Sequence, residues 1–195
     1  VAISFLLLYH PQYLLRISPF YGDVFPQKSV PTKLVSMSTN NNYTFIDAQN
    51  LHLAIKGQNW EIDYKSFRRY LHDKYGVSKA FLFIGYMKQY DMLYKEWEEN
   101  GYHLIFKPIK KLPNGSIIGN VDPEIVLHTV IKMPEYDKAI VVSGDGDFHC
   151  LIEYLIQVDK LQKLLIPNRY RYSYLLSKFS CFISFMNNLE DKIGK

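Results

Sequence analysis

The chain has 195 residues, 48% hydrophobic and 22% charged, with a formal net charge of +4. That length and apolar content suit one globular domain with a buried core and exclude a disordered chain. The mildly basic balance permits a nucleic-acid or other polyanionic partner without requiring one.

The first stretch, VAISFLLLYH, carries an apolar run of only about eight residues, well short of the roughly 20 needed to span a bilayer. It also has no basic n-region and no small-residue cleavage site, so it does not read as a secretory signal. Met37 opens the polar run MSTNNN just ahead of the first clean strand. Residues 1–36 are therefore expected to lie outside the domain, with Met37 as the natural start and residues 37–195 as the domain. The alternative is an N-terminal arm packed on it.

From Tyr43 the pattern becomes regular. YTFIDAQN is a short apolar run ending in polar residues, and IDYKSFRRYLHDKYG places Ile62, Phe67, Tyr70 and Leu71 at helical spacing before Gly76. KAFLFIGY reads as a continuous strand, DMLYKEWEENG as a helix with a glycine ending, and HLIFKPI as a strand. LPNGSIIGN has Pro-Asn-Gly turn chemistry. In the second half DPEIVLHTVIKM reads as a helix, KAIVVSG as a buried strand, DFHCLIEYLIQV as a helix and KLLIP as a strand. YSYLLSKF then reads as a short helix and CFISFM as a last strand. Helices alternating with strands that are apolar throughout predict a three-layer α/β domain around a mainly parallel sheet. Cys150 and Cys181 lie in apolar stretches with no second thiol nearby. They read as buried free thiols in a reducing, cytoplasmic setting.

In parallel sheets, sites form outside the carboxyl ends of the strands where the strand order reverses. Asp47 ends the first strand of the domain, with Asn50 three residues later, and Asp145 and Asp147 follow the VVSG strand. Gly144 and Gly146 are expected to let the backbone turn sharply there. Asp122, at the head of the helix that opens GNVDPE, can join them. Carboxylates crowded together repel by about 4 kcal/mol for a pair 4 Å apart at an effective dielectric near 20. Either their pKa values rise or a cation sits between them. An all-oxygen donor set favours Mg²⁺ or Mn²⁺ over zinc, and such an ion suits phosphodiester hydrolysis. Simpler roles compete: Asp122 before Pro123 also looks like a helix N-cap, Asp147 can cap the following helix, and Asn50 can bridge local backbone. A metal- or nucleotide-binding site without catalysis fits as well. An EF-hand does not, because DGD lacks the further ligands and the Glu at position twelve.

FIDAQNL, GNVDPEIVLH and VVSGDGDFHCLIEYL, in this order, resemble the NYN domains, specifically the LabA-like branch of the PIN-like metal-dependent ribonucleases. The likeness runs from Tyr43 to about Leu189. It implies a PIN-like α/β/α fold and an acidic Mg²⁺ or Mn²⁺ site that hydrolyses RNA. Carried over, that site falls on Asp47, Asn50, Asp122, Asp145 and Asp147. Asp47 and Asp145 would be the main metal ligands, Asp122 and Asp147 would complete the shell or hold water, and Asn50 would orient Asp47 or the scissile phosphate. RNA is the implied partner, and a homodimer is compatible with the family.

This chain departs from the pattern twice. Many relatives carry a basic residue where it has Ile118, and a further aspartate where it has His128. His128 reads as a proton shuttle, a weaker outer-shell group or, more simply, a satisfied, partly buried imidazole, and His149 is treated alike. These departures favour the rival reading, a non-catalytic RNA-binding or regulatory module that keeps the fold. For RNA contact the sequence offers Lys107, Lys110 and Lys111, then Arg169 and Arg171 interleaved with Tyr170, Tyr172 and Tyr174. There, cations can meet phosphates and tyrosines can stack on unpaired bases. Solvated lysines and core tyrosines are the plain alternative. A haloacid-dehalogenase-type phosphatase would need a second Asp two residues after Asp47, where Gln49 stands.

Overall fold

The structure is a computed structural model that describes residues 40–108, 110–111, 117–118 and 120–195. The expectations about residues 1–36, and the Pro-Asn-Gly turn, lie outside the described residues. The sheet strands in chain order are β1 (Asn42–Asp47), β2 (Val77–Gly85) and β3 (Tyr102–Lys107), then, after a short ribbon of β4 (Lys110–Lys111) and β5 (Ile117–Ile118), β6 (Ala139–Val142), β7 (Leu161–Ile166) and β8 (Ile183–Phe185). Six of them form one sheet in the order β3-β2-β1-β6-β7-β8. Every pairing within it is parallel. The helices are α1 (Ala48–Lys56), α2 (Tyr64–Tyr75), α3 (Asp91–Glu99), α4 (Asp122–Ile131), α5 (His149–Gln157) and α6 (Glu190–Ile193).

Successive residues on a strand face opposite sides of a sheet and residues two apart share a side, and β1 shows how this builds two cores. Tyr43 and Phe45 enter one cluster with Phe81, Phe83, Ile125, Leu151, Ile152 and Leu155, which brings in α4 and α5. Ile46 enters the other with Leu51, Ile55, Phe67, Leu71, Tyr94 and Trp97, which brings in α1, α2 and α3. A strand buried on both faces must be apolar on both, which is why these strands read as continuous apolar runs. The three-layer α/β expectation is met, with all six sheet strands parallel.

Helix ends follow local chemistry. Asp63 caps α2 by accepting from the backbone of Lys65 and Ser66, and Gly76 closes it at φ 64°, a left-handed conformation where glycine carries no Cβ penalty. α1 begins immediately after Asp47, which the apolar run through β1 had concealed. Both cysteines are free and exposed, a correction to the expectation of burial. In α5 it is Leu151, Ile152 and Leu155 that face the core, and Cys150 occupies the outer side. Among the described residues no helix is long and apolar enough to cross a membrane.

Topology sets the position of the site. The chain builds β1, β2 and β3 outward in one direction, then returns through α4 to lay β6 on the other side of β1. The strand order therefore reverses between β1 and β6, and their carboxyl ends flank the crevice where such sheets bind ligands.

Candidate metal centre at the sheet edge

Asp47 ends β1, and its side chain caps α1, with Oδ1 accepting from the Asn50 backbone N–H at 3.0 Å. The residue is only 6% exposed. Its carboxyl is pushed up from the ordinary 3.8 to about 6, first by burial and then by the charges of Asp122 and Asp145, against the lowering effect of the Asn50 N–H. Asn50 reaches across the switch point: its Oδ1 accepts from the Gly144 N–H at 2.9 Å. One short segment thus ties the end of β1 to the loop that follows β6.

That loop is folded by its own side chains. Ser143 Oγ accepts from the Asp145 N–H at 3.1 Å, and Asp145 Oδ1 accepts from the Asp147 N–H at 2.9 Å. A single 3-10 turn over residues 146–148 then leads into α5. Asp145 is half-buried and Asp147 exposed. Neither Gly144 nor Gly146 is among the glycines with positive φ, so the expected sharp glycine turn is corrected. They are glycines because another segment lies against them. A Cβ on Gly144 would stand 3.2 Å from the Cβ of Tyr172, and one on Gly146 would stand 2.8 Å from the Cβ of Ser173 and closer still to its Oγ. The Ser173 N–H donates to the Gly144 carbonyl at 2.9 Å, fastening the contact.

Asp122 is the first residue of α4, and its side chain makes no capping bond; Val121 occupies the cap position. The Asp122 N–H is satisfied instead by Asn120 Oδ1 at 2.8 Å. The carboxylate is thereby released from the capping role its Asp-Pro context suggested. Its pKa is raised, mainly by burial and further by the charges of Asp145 and Asp147, while Asn120 and Lys107 pull it down. The field acting on Asp47 includes Asp122 and Asp145, and that on Asp122 includes Asp145 and Asp147. All four predicted aspartates therefore belong to one electrostatic neighbourhood, with Asn50 wedged beside them.

The donors are all oxygen, and the group carries excess negative charge. Among the described residues no three His, Cys, Asp or Glu side chains converge into a closed cluster that could hold a metal ion. An all-oxygen donor set suits a hard cation such as Mg²⁺, which takes one or two carboxylates and keeps several waters.

The remaining predicted residues divide. Lys107 Nζ is paired with Glu124 Oε2 at 2.9 Å, which sets its ammonium beside the first turn of α4. Sequence reading missed Glu124, Asn120 and Ser143; the Asn120-x-Asp122 spacing was the available signal for an Asx turn. The side chains of Lys110, Lys111 and Ile118 lie outside the described set. Arg169 stacks over Phe185 and Tyr170, 5.3 and 5.8 Å from the ring centroids. Arg171 is exposed, with one guanidinium nitrogen at the end of α1, 3.7 Å from where a Gly57 Cβ would stand. Tyr170 and Tyr174 are exposed, whereas Tyr172 packs against Phe185. His128 sits edge-on to Phe83 at 5.5 Å, its pKa lowered chiefly by burial. It is the packed imidazole of the plainer reading. His149 donates from Nδ1 to the Gly146 carbonyl at 3.2 Å.

A crystal structure of VPA0982, a protein of unknown function from Vibrio parahaemolyticus, has the same fold, with a TM-score of 0.66 and 21% identity over 83% of this chain and 100% of that one. No curated protein matches the chain. The sequence matches the NYN domain over residues 43–178, a span that contains all of β1 but Asn42, the switch point and the five aspartate and asparagine residues of the predicted site. This chain belongs to the NYN domain family, a PIN-like group associated with nuclease function.

Proposed function

We propose that the protein is a metal-dependent ribonuclease of the LabA-like branch, hydrolysing RNA phosphodiester bonds at the switch-point carboxylates, and that it works in the cytoplasm. The observation that carries this reading is Asp47: a buried carboxyl pushed up to about 6 with two like charges acting on it. A fold that holds such a group at a strand end carries a standing electrostatic cost, which a divalent cation relieves. Asp47 and Asp145 are assigned as its main ligands, each with Oδ1 engaged by a backbone N–H and Oδ2 uncommitted to that bond. When bound, Mg²⁺ or Mn²⁺ would neutralise the carboxylates, polarise a phosphate oxygen and acidify water.

The chain's own residues supply the rest. Asp122 and Asp147 would accept hydrogen bonds from the attacking water, one of them taking its proton as its oxygen bonds to phosphorus, while the P–O ester bond breaks and the leaving oxygen takes a proton from solvent. Asn50 holds the two sides of the crevice in register through Gly144. Arg169 and Arg171 give the RNA backbone a cationic approach.

One observation favours the non-catalytic RNA-binding module instead. His128, standing where many relatives carry an aspartate, packs on Phe83 and adds no carboxylate. Incubating the full chain with labelled single-stranded RNA in Mn²⁺, Mg²⁺ or EDTA separates the two. Cleavage with either metal and none in EDTA is expected. Binding without cleavage under both metals would replace the nuclease with the binding module.

A further inference from the structure

The acidic loop ends in an open depression of about 500 Å³, lined by His149, Tyr174, Leu175, Ser177 and Lys178. That volume lies in the range of small-molecule sites. Its place follows from contacts already described. Ser173 presses on Gly146, so the next residue, Tyr174, emerges beside the loop that carries Asp145 and Asp147. His149 approaches from the other side, two residues beyond Asp147. Tyr174 is 87% exposed and Leu175 52% exposed, which holds an aromatic ring and an aliphatic side chain out in water beside that loop.

Polar groups flank that apolar floor. Ser177 Oγ spends its proton on the Tyr174 carbonyl at 2.7 Å, leaving its lone pairs as acceptors. Lys178 Nζ is 3.0 Å from Glu153 Oε1, which uses one of its three N–H donors. A flat apolar face bordered by an acceptor and by spare cationic donors matches a nucleobase carrying its phosphate.

We propose that this depression is a base-binding subsite for the nucleotide next to the phosphate held at the carboxylates, with the base stacked on Tyr174 and its phosphate near Lys178. The assignment rests on the ribonuclease reading. It also restricts the substrate: a base can stack on Tyr174 only when it is unpaired, so the subsite accepts single strands and rejects duplex.

The test is the equilibrium binding of fluorescein-labelled hexauridylate, an abasic ribose-phosphate hexamer and an RNA duplex to the full chain in Ca²⁺, with the oligonucleotides checked for integrity. Cleavage in Mn²⁺ is measured in parallel. Tyr174→Ala is expected to weaken hexauridylate binding about tenfold, equivalent to about 1.4 kcal/mol, and Tyr174→Phe to stay within about twofold because the ring face remains. Abasic binding should not respond to either change, and the duplex should bind the wild type more weakly than hexauridylate. Equal hexauridylate affinity for wild type and Tyr174→Ala, or the same loss with the abasic oligomer, would overturn the subsite. If cleavage continues in that case, the ribonuclease reading stands without it. Tyr174-dependent binding with no cleavage in Mn²⁺ keeps the subsite and removes the nuclease, and neither binding nor cleavage removes both.

Discussion

The two sides of the switch point carry the same residue type in opposite settings. On the β1 side, Asp47 is buried, caps α1 and has its carboxyl pushed up to about 6. On the β6 side, Asp145 and Asp147 sit in a loop that is half-buried to exposed, and its shape comes from Ser143 and from the pressure of residues 172–173. The first side is buried and electrostatically costly; the second is solvated and braced from outside. On the proposed reading, burial at Asp47 sets where positive charge is needed. Solvation at Asp145 and Asp147 lets ligands and water reach it.

The sharpest way to break this contrast is Asp47→Asn. Asparagine caps a helix about as well as aspartate, so the fold survives, while RNA cleavage should fall by a factor of about 100 or more. Stability should move the other way. A carboxyl with a raised folded pKa holds its proton to higher pH than it does in the unfolded chain, so metal-free stability declines as pH rises from about 4 through about 6 and then levels. The gap between 3.8 and about 6 corresponds to about 3 kcal/mol. Denaturant melts in EDTA should show Asp47→Asn more stable than wild type at pH 7 and equal to it near pH 4. Equal stability at both pH values would remove the cost assigned to Asp47.

Gly146→Ala tests the other side. Its Cβ meets the side chain of Ser173, so about 1–3 kcal/mol of stability should be lost. Adding Ser173→Gly should restore most of it, and failure of that rescue in denaturant melts would contradict the external bracing. Asn50→Ala cuts the link between the sides by removing the acceptor of the Gly144 N–H. It should cost about 1 kcal/mol in the same melts, with cleavage falling further than stability explains. Lys107→Met should have the smallest effect, about 0.5–1 kcal/mol from the partly exposed pair with Glu124. Because Lys107 lowers the Asp122 pKa, its removal should shift the acidic limb of the cleavage profile to higher pH.

The same contrast explains what the sequence could show. Strand ends were legible because parallel strands buried on both faces are continuous apolar runs, and Asp47 and Asp145 mark where two of them stop. Which carboxylate caps which helix was not. Asp122 and Asp147 had the stronger capping context, yet Asp47 and Asp145 make the bonds, because Asn120 serves Asp122 and the loop folds back on Asp145. The reason for Gly144 and Gly146 was hidden further along the chain, in Tyr172 and Ser173, where no local pattern reveals it. Lys107 looked like a free cation because Glu124, its partner, arrives from a different element.

The central claim is that carboxylates from both sides of the switch point act on one divalent cation. A calorimetric titration of Mn²⁺ into the metal-free chain at pH 6, beside an Asp145→Asn, Asp147→Asn double variant whose fold is verified by circular dichroism, tests it most directly. The account predicts saturable Mn²⁺ binding by the wild type with proton release, because Asp47 is partly protonated at that pH, and binding weakened or lost in the variant. Mn²⁺ binding that is unchanged in the double variant, or absent from the wild type, would contradict it.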